Sequence, residues 1–106
     1  MKRETIFKEG LNLAVKISGV REREILSRKR KRYIVDARKL IVYFMREKYN
    51  LRWTEMAKMF DMNHSSIIHM YNSFLSDSKY DKRVKSCRVE VDNLVDTTKW
   101  WKLIVW

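Results

Sequence analysis

The chain contains no proline, and its two glycines are Gly10 and Gly19. Proline and glycine supply the fixed and positive φ values that tight hairpins and phosphate-cradling loops need, so their scarcity argues against a hairpin-rich β fold and against a Walker-type nucleotide loop. Helices joined by short polar breaks remain. With 45% hydrophobic side chains on 106 residues there is enough apolar surface for one domain, residues 1–106, with a real core. The expected class is all-α: a compact helical bundle of five to six helices.

Cys87 is the one cysteine, so neither an intramolecular disulfide nor a cysteine-based zinc set is expected, and a reducing, cytoplasmic setting fits best. Charges at Glu4, Lys8, Glu9 and Lys16 interrupt the apolar character of the first residues, and no apolar run approaches the roughly 18 residues of a membrane span. No secretory signal and no membrane span are expected.

Apolar spacing places the helices. Ile6, Phe7, Leu11, Ala14 and Ile17 recur at helical intervals over residues 3 to 17, with Ser18-Gly19 as a stop. Val20, Ile25 and Leu26 mark a short second helix with Arg21 to Glu24 on its wet face. From Tyr33 to Tyr49 the stripe Ile34, Ala37, Leu40, Ile41, Phe44, Met45 defines the longest helix, leaving Asp36, Arg38, Lys39, Arg46 and Glu47 to its other faces. After Asn50, residues 53 to 60 make a helix of about two turns. Asn63 then suits an N-cap for a helix with the stripe Ile67, Ile68, Tyr71, Phe74, Leu75. Residues 80 to 96 read as a closing helix through Val84, Cys87, Val91, Leu94 and Val95.

The formal charge is +11, and residues 21 to 52 carry +8 of it. Arg28, Lys29, Arg30, Lys31 and Arg32 are five consecutive cations. Such a run is either a solvated loop or a phosphate-binding one. The helix after Asn63 favours the second reading, because its outer face holds Ser65, Ser66, His69, Asn72 and Ser73 in place of the usual Glu and Lys. A short helix, a tight turn and a second helix with short polar side chains is the layout of a helix-turn-helix, in which cations grip phosphates and neutral polar groups meet base edges.

Residues 18 to 75 resemble the C-terminal DNA-binding domain of the bacterial replication initiator DnaA. The resemblance rests on Ile25-Leu26-Ser27 with the basic run, the long helix from Tyr33 to Tyr49, Trp53-Thr54-Glu55-Met56-Ala57 ending at Phe60, and Asn63-His64-Ser65-Ser66-Ile67-Ile68-His69, in the family's order. It implies a Trp-repressor-like helix-turn-helix that binds a short duplex site. It implies that Arg30 enters the minor groove while Asn63, His64 and Ser65 read the major groove. Arg28, Lys29, Lys31, Arg32, Arg38, Arg46, Ser66 and His69 are then expected at or beside phosphates. The family's Gly-Gly-Arg-Asp becomes the shorter Asp61-Met62-Asn63. Asn pairs bidentately with adenine N6 and N7 where Asp accepts from cytosine N4, which points to a different preferred base. The family's ATPase module is not in this sequence, so the expected role is regulatory, at replication origins or promoters, in a bacterial or phage-infected cell.

His64 and His69 are five positions apart, on different helix faces, with no cysteine or carboxylate cluster beside them; no metal, cofactor or nucleotide site is expected. No nucleophile and base pair off, so no enzymatic activity is expected. The end of the chain, 97–106, holds Trp100, Trp101 and Trp106. These rings read as caps on the core, as a homodimer or protein-partner surface, or as a membrane-interface anchor. A partner-binding module with a merely solubilising basic face is the alternative to DNA binding.

Overall fold

Three left-handed backbone positions, Gly19 (φ 75°), Asn50 (φ 51°) and Asp61 (φ 54°), do the work that proline and further glycines would do elsewhere. In this computed structural model, which describes residues 2–95, they end three of six helices: α1 (Arg3–Ser18), α2 (Glu22–Ile25), α3 (Arg32–Tyr49), α4 (Trp53–Phe60), α5 (His64–Tyr80) and α6 (Lys82–Val95). The Gly19 N–H donates to the Val15 carbonyl at 2.9 Å and the Asn50 N–H to Arg46 at 3.0 Å. After α4, Met62 N–H bonds Ala57 and Asp61 N–H bonds Lys58, the paired closure of a Schellman motif. Asn and Asp are the side chains that tolerate this conformation best after glycine.

α3 is the central element. Leu40 through Met45 are all buried, with α1, α5 and α6 packed around them. Gly10 lets α1 come close, since a Cβ there would lie 3.0 Å from Ile41 Cγ2. The expected wet faces of α3 are therefore narrower than its sequence pattern suggests. Arg38 and Glu47 are buried, and so are Val42 and Tyr43, because neighbours approach α3 from several sides. The Tyr43 hydroxyl donates to Asp92 and accepts from Arg88 Nε at 3.3 Å, fastening α6 to α3. Burial first, then the Asp92 bond, pushes the Tyr43 hydroxyl pKa well up.

Three helices differ from their expected form. α5 buries Ile67, Met70, Phe74 and Ser78 and runs on to Tyr80, whereas the expected apolar stripe included Ile68 and reached only to Leu75. The continuation is possible because Ser78 donates to the Leu75 carbonyl and accepts from Arg88 Nη1, both within 2.8 Å, so a polar residue can sit inside the α5–α6 contact. A single residue, Asp81, separates the two helices, and its Oδ1 accepts from the Arg83 N–H at 2.9 Å at the start of α6. Leu26 and Leu94, expected to be apolar contacts, are more than half exposed. Leu26 caps the single turn of α2, too short to bury two sides; Leu94 stands on α6 away from the Val91 and Val95 face. Among the described residues no helix is long and apolar enough to cross a membrane. Trp100, Trp101 and Trp106 lie outside the described residues.

Candidate nucleic-acid interface

The loop between α2 and α3 turns its backbone inward and its charges outward. Ser27 Oγ donates to the Glu24 carbonyl at 2.6 Å and accepts from the Lys29 N–H at 3.2 Å, folding the chain back at the start of the basic run. From below, Arg38 donates through Nε to Ile25 O (2.7 Å), through Nη1 to Lys29 O (2.8 Å), and through Nη2 to the Ser27 and Glu24 carbonyls. A planar, forked cation is suited to such a ring of acceptors. Burial first, then the like charge of Arg30, lowers the Arg38 pKa from its ordinary value.

With its carbonyls so held, the loop presents Arg28, Lys29, Arg30 and Lys31 to solvent. Among the described residues none of these four makes an ion pair. Arg32, the first residue of α3, is exposed but reaches Asp81 at 3.4 Å and Asp36 at 3.9 Å. Pairs this exposed are weak and exchange readily.

α4, the Asp61–Asn63 turn and α5 form the helix-turn-helix. α4 is fixed at both ends by aromatic contacts: the Phe60 ring meets Phe7 of α1 edge-on at 5.2 Å, and Trp53 meets Tyr71 of α5 at 5.2 Å. Arg46 lies over the Trp53 ring, 4.3 Å from its centre, and donates to the Leu51 carbonyl at 2.7 Å. Asn63 caps α5, its Oδ1 accepting from the Ser66 N–H at 2.9 Å.

The two parts meet. One open groove is lined by Arg30 and Arg38 on the loop side and by Asn63, Ser65, Ser66 and His69 on the α5 side, with Val35, Asp61, Met62 and Met70 completing its walls. Asn63, His64, Ser65 and His69 are exposed and Ser66 is half-buried. His64, on the first turn of α5, is exposed but does not line the groove. Of the two arginines expected at phosphates, Arg38 is buried with its Nε, Nη1 and Nη2 on loop carbonyls, whereas Arg46 is half-buried, with Nη1 on the Leu51 carbonyl of the α3–α4 turn and its guanidinium over Trp53. Arg38 thereby ties the loop backbone to α3, and Arg46 ties the α3–α4 turn and Trp53 to α3.

Sequence reasoning missed Met62, a partly exposed apolar side chain at the junction of the two walls. A signal existed: residues 61 and 62 are all that separate the end of α4 from the α5 cap, so Met62 has no helix on which to reach the core. Apolar groups in such a place can meet thymine methyls.

Comparison with curated proteins finds no match for the chain. The family described as bacterial dnaA protein helix-turn-helix does match, over residues 12–73, which is more than half of the chain. The matched span takes in the end of α1, the basic loop, α3, α4 and the exposed start of α5, the elements that build the groove. The chain belongs to the bacterial DnaA helix-turn-helix family, a family of DNA-binding domains.

Proposed function

We propose that the protein binds double-stranded DNA at selected sites, with the basic loop and the start of α5 engaging adjacent grooves. The observation that carries this reading is the shared groove, lined by Arg30 together with Asn63, Ser65, Ser66 and His69. The loop provides charge without sequence preference; the start of α5 provides short donors and acceptors of the kind that discriminate bases. Arg30 is the group for the minor groove, and Asn63, His64 and Ser65 those for base edges in the major groove. Arg28, Lys29, Lys31, Arg32, Arg46, Ser66 and His69 are proposed at phosphates. The role that follows is regulation of replication initiation or of transcription at the bound sites.

Titration of duplex DNA at several salt concentrations tests the reading. Neutralising about six phosphates gives a log–log slope of about −5. A flat dependence, or no binding at low salt, contradicts it.

A further inference from the structure

The cap on α5 decides which half of the Asn63 amide can face a ligand. Asn63 has extended backbone (φ −80°, ψ 159°), and its Oδ1 accepts from the Ser66 N–H at 2.9 Å. An amide nitrogen has hydrogens to give and cannot accept, so this bond fixes the orientation of the group: oxygen on the helix, nitrogen away from it. The residue is exposed and forms part of the groove wall next to Ser65 and across from Arg30. The bidentate adenine contact expected from residue type needs oxygen and nitrogen side by side on one base. One of the oxygen's two lone pairs is taken on the first turn of α5, so the nitrogen, with no partner among the described residues, is the half of the amide with its full capacity left for a ligand.

We propose that Asn63 is a specificity-determining residue that works as a one-sided donor, favouring a base whose major-groove edge offers acceptors and disfavouring cytosine. Guanine presents N7 and O6, thymine O4 and adenine N7, whereas the cytosine N4 amine presents hydrogens to hydrogens. This inference rests on the DNA-binding reading above and adds to it the polarity of one contact. Ser65 and His69 can each donate or accept, so the cap does not fix their preference. Asn63 is the groove residue whose polarity the fold itself sets.

The test is selection from randomised duplexes by the wild-type protein, Asn63→Asp and Asn63→Ser, with thermal melts to show that all three are folded. Asp and Ser cap helices about as well as Asn. Asn63→Asp keeps one oxygen for the Ser66 N–H and turns the outward donor into an acceptor. The expected result is one consensus column that carries guanine, thymine or adenine for wild type, moves to cytosine for Asn63→Asp, and becomes degenerate for Asn63→Ser, the other columns unchanged. Replacing the preferred base by cytosine at that column should weaken wild-type binding about tenfold or more. Identical consensus sequences for wild type and Asn63→Asp, or cytosine in the affected wild-type column, overturn the inference while leaving DNA binding intact. No enrichment by any of the three overturns both.

Discussion

Arg38 Nη1 lies 2.8 Å from the Lys29 carbonyl oxygen, joining the buried side of α3 to the middle of the most basic stretch of the chain. Its Nε holds the Ile25 carbonyl at 2.7 Å. The loop's polar backbone is thus satisfied from below by a cation, and its own cations are left to face outward.

Removing that cation should loosen the loop. Arg38→Ala leaves the carbonyls of Ile25, Ser27 and Lys29 without this donor, and a loss of about 3 kcal/mol in urea denaturation is expected for a buried charged hydrogen-bonding group. Arg38→Lys, whose ammonium cannot span the ring of acceptors, should recover only part of it. Equal stability of all three proteins would contradict the role assigned to Arg38.

Arg30 should behave in the opposite way. It is exposed and unpaired among the described residues, so Arg30→Ala should leave the melting temperature within a degree or two of wild type, roughly the range of neutral surface substitutions. DNA affinity should fall about tenfold or more, and the salt slope should decrease by about one. An unchanged slope would place Arg30 away from the DNA.

Acid should weaken the contact between α1 and α3 through Glu9. Its carboxylate accepts from Lys48 Nζ and Tyr49 OH. Burial alone would raise its pKa; the two hydrogen bonds and the Lys48 charge outweigh burial and hold it below the ordinary 4.5. As pH falls, the unfolded chain takes up this proton first, so the contribution of Glu9 is present above about 4.5 and is lost as pH drops through the lower folded value. Denaturation midpoints for wild type and Glu9→Gln should therefore converge on acidification. A gap that stays constant from neutral pH to pH 3 would contradict this.

Tyr43 offers a test of how α6 is attached. Tyr43→Phe removes the hydroxyl that donates to Asp92 and accepts from Arg88, and should cost about 1–2 kcal/mol. Amide exchange should speed up in α6 before α3. Uniform acceleration across the chain would mean that α6 is not separately fastened.

How far the fold could be read from residues depended on whether one neighbour or several covered each helix. The stripe from Ile34 to Met45 is legible because its apolar residues recur at three- and four-residue steps. Arg38 was misread although it lies in register with that stripe, four after Ile34 and three before Ile41; a cation on an apolar face is a sign of a buried partner, here the loop carbonyls. Val42 and Tyr43 were not picked out because periodicity describes one buried face and α3 has several. The Asn63 cap was readable from residue type, but not its consequence, since which half of an amide faces outward depends on the backbone it caps. The groove was out of reach altogether: Arg30 and Ser65 come to line it together only after α3 has folded the chain back between them.

The central claim is that one face of the molecule, made by the basic loop and the start of α5, receives duplex DNA. Titrating isotope-labelled protein with a selected duplex and following the backbone amide resonances tests it most directly. Shifts concentrated in residues 27–31 and 62–70, with the outer faces of α1 and α6 unaffected, are the predicted result. Shifts centred on α1 or α6, or none on the loop and the start of α5, would contradict it.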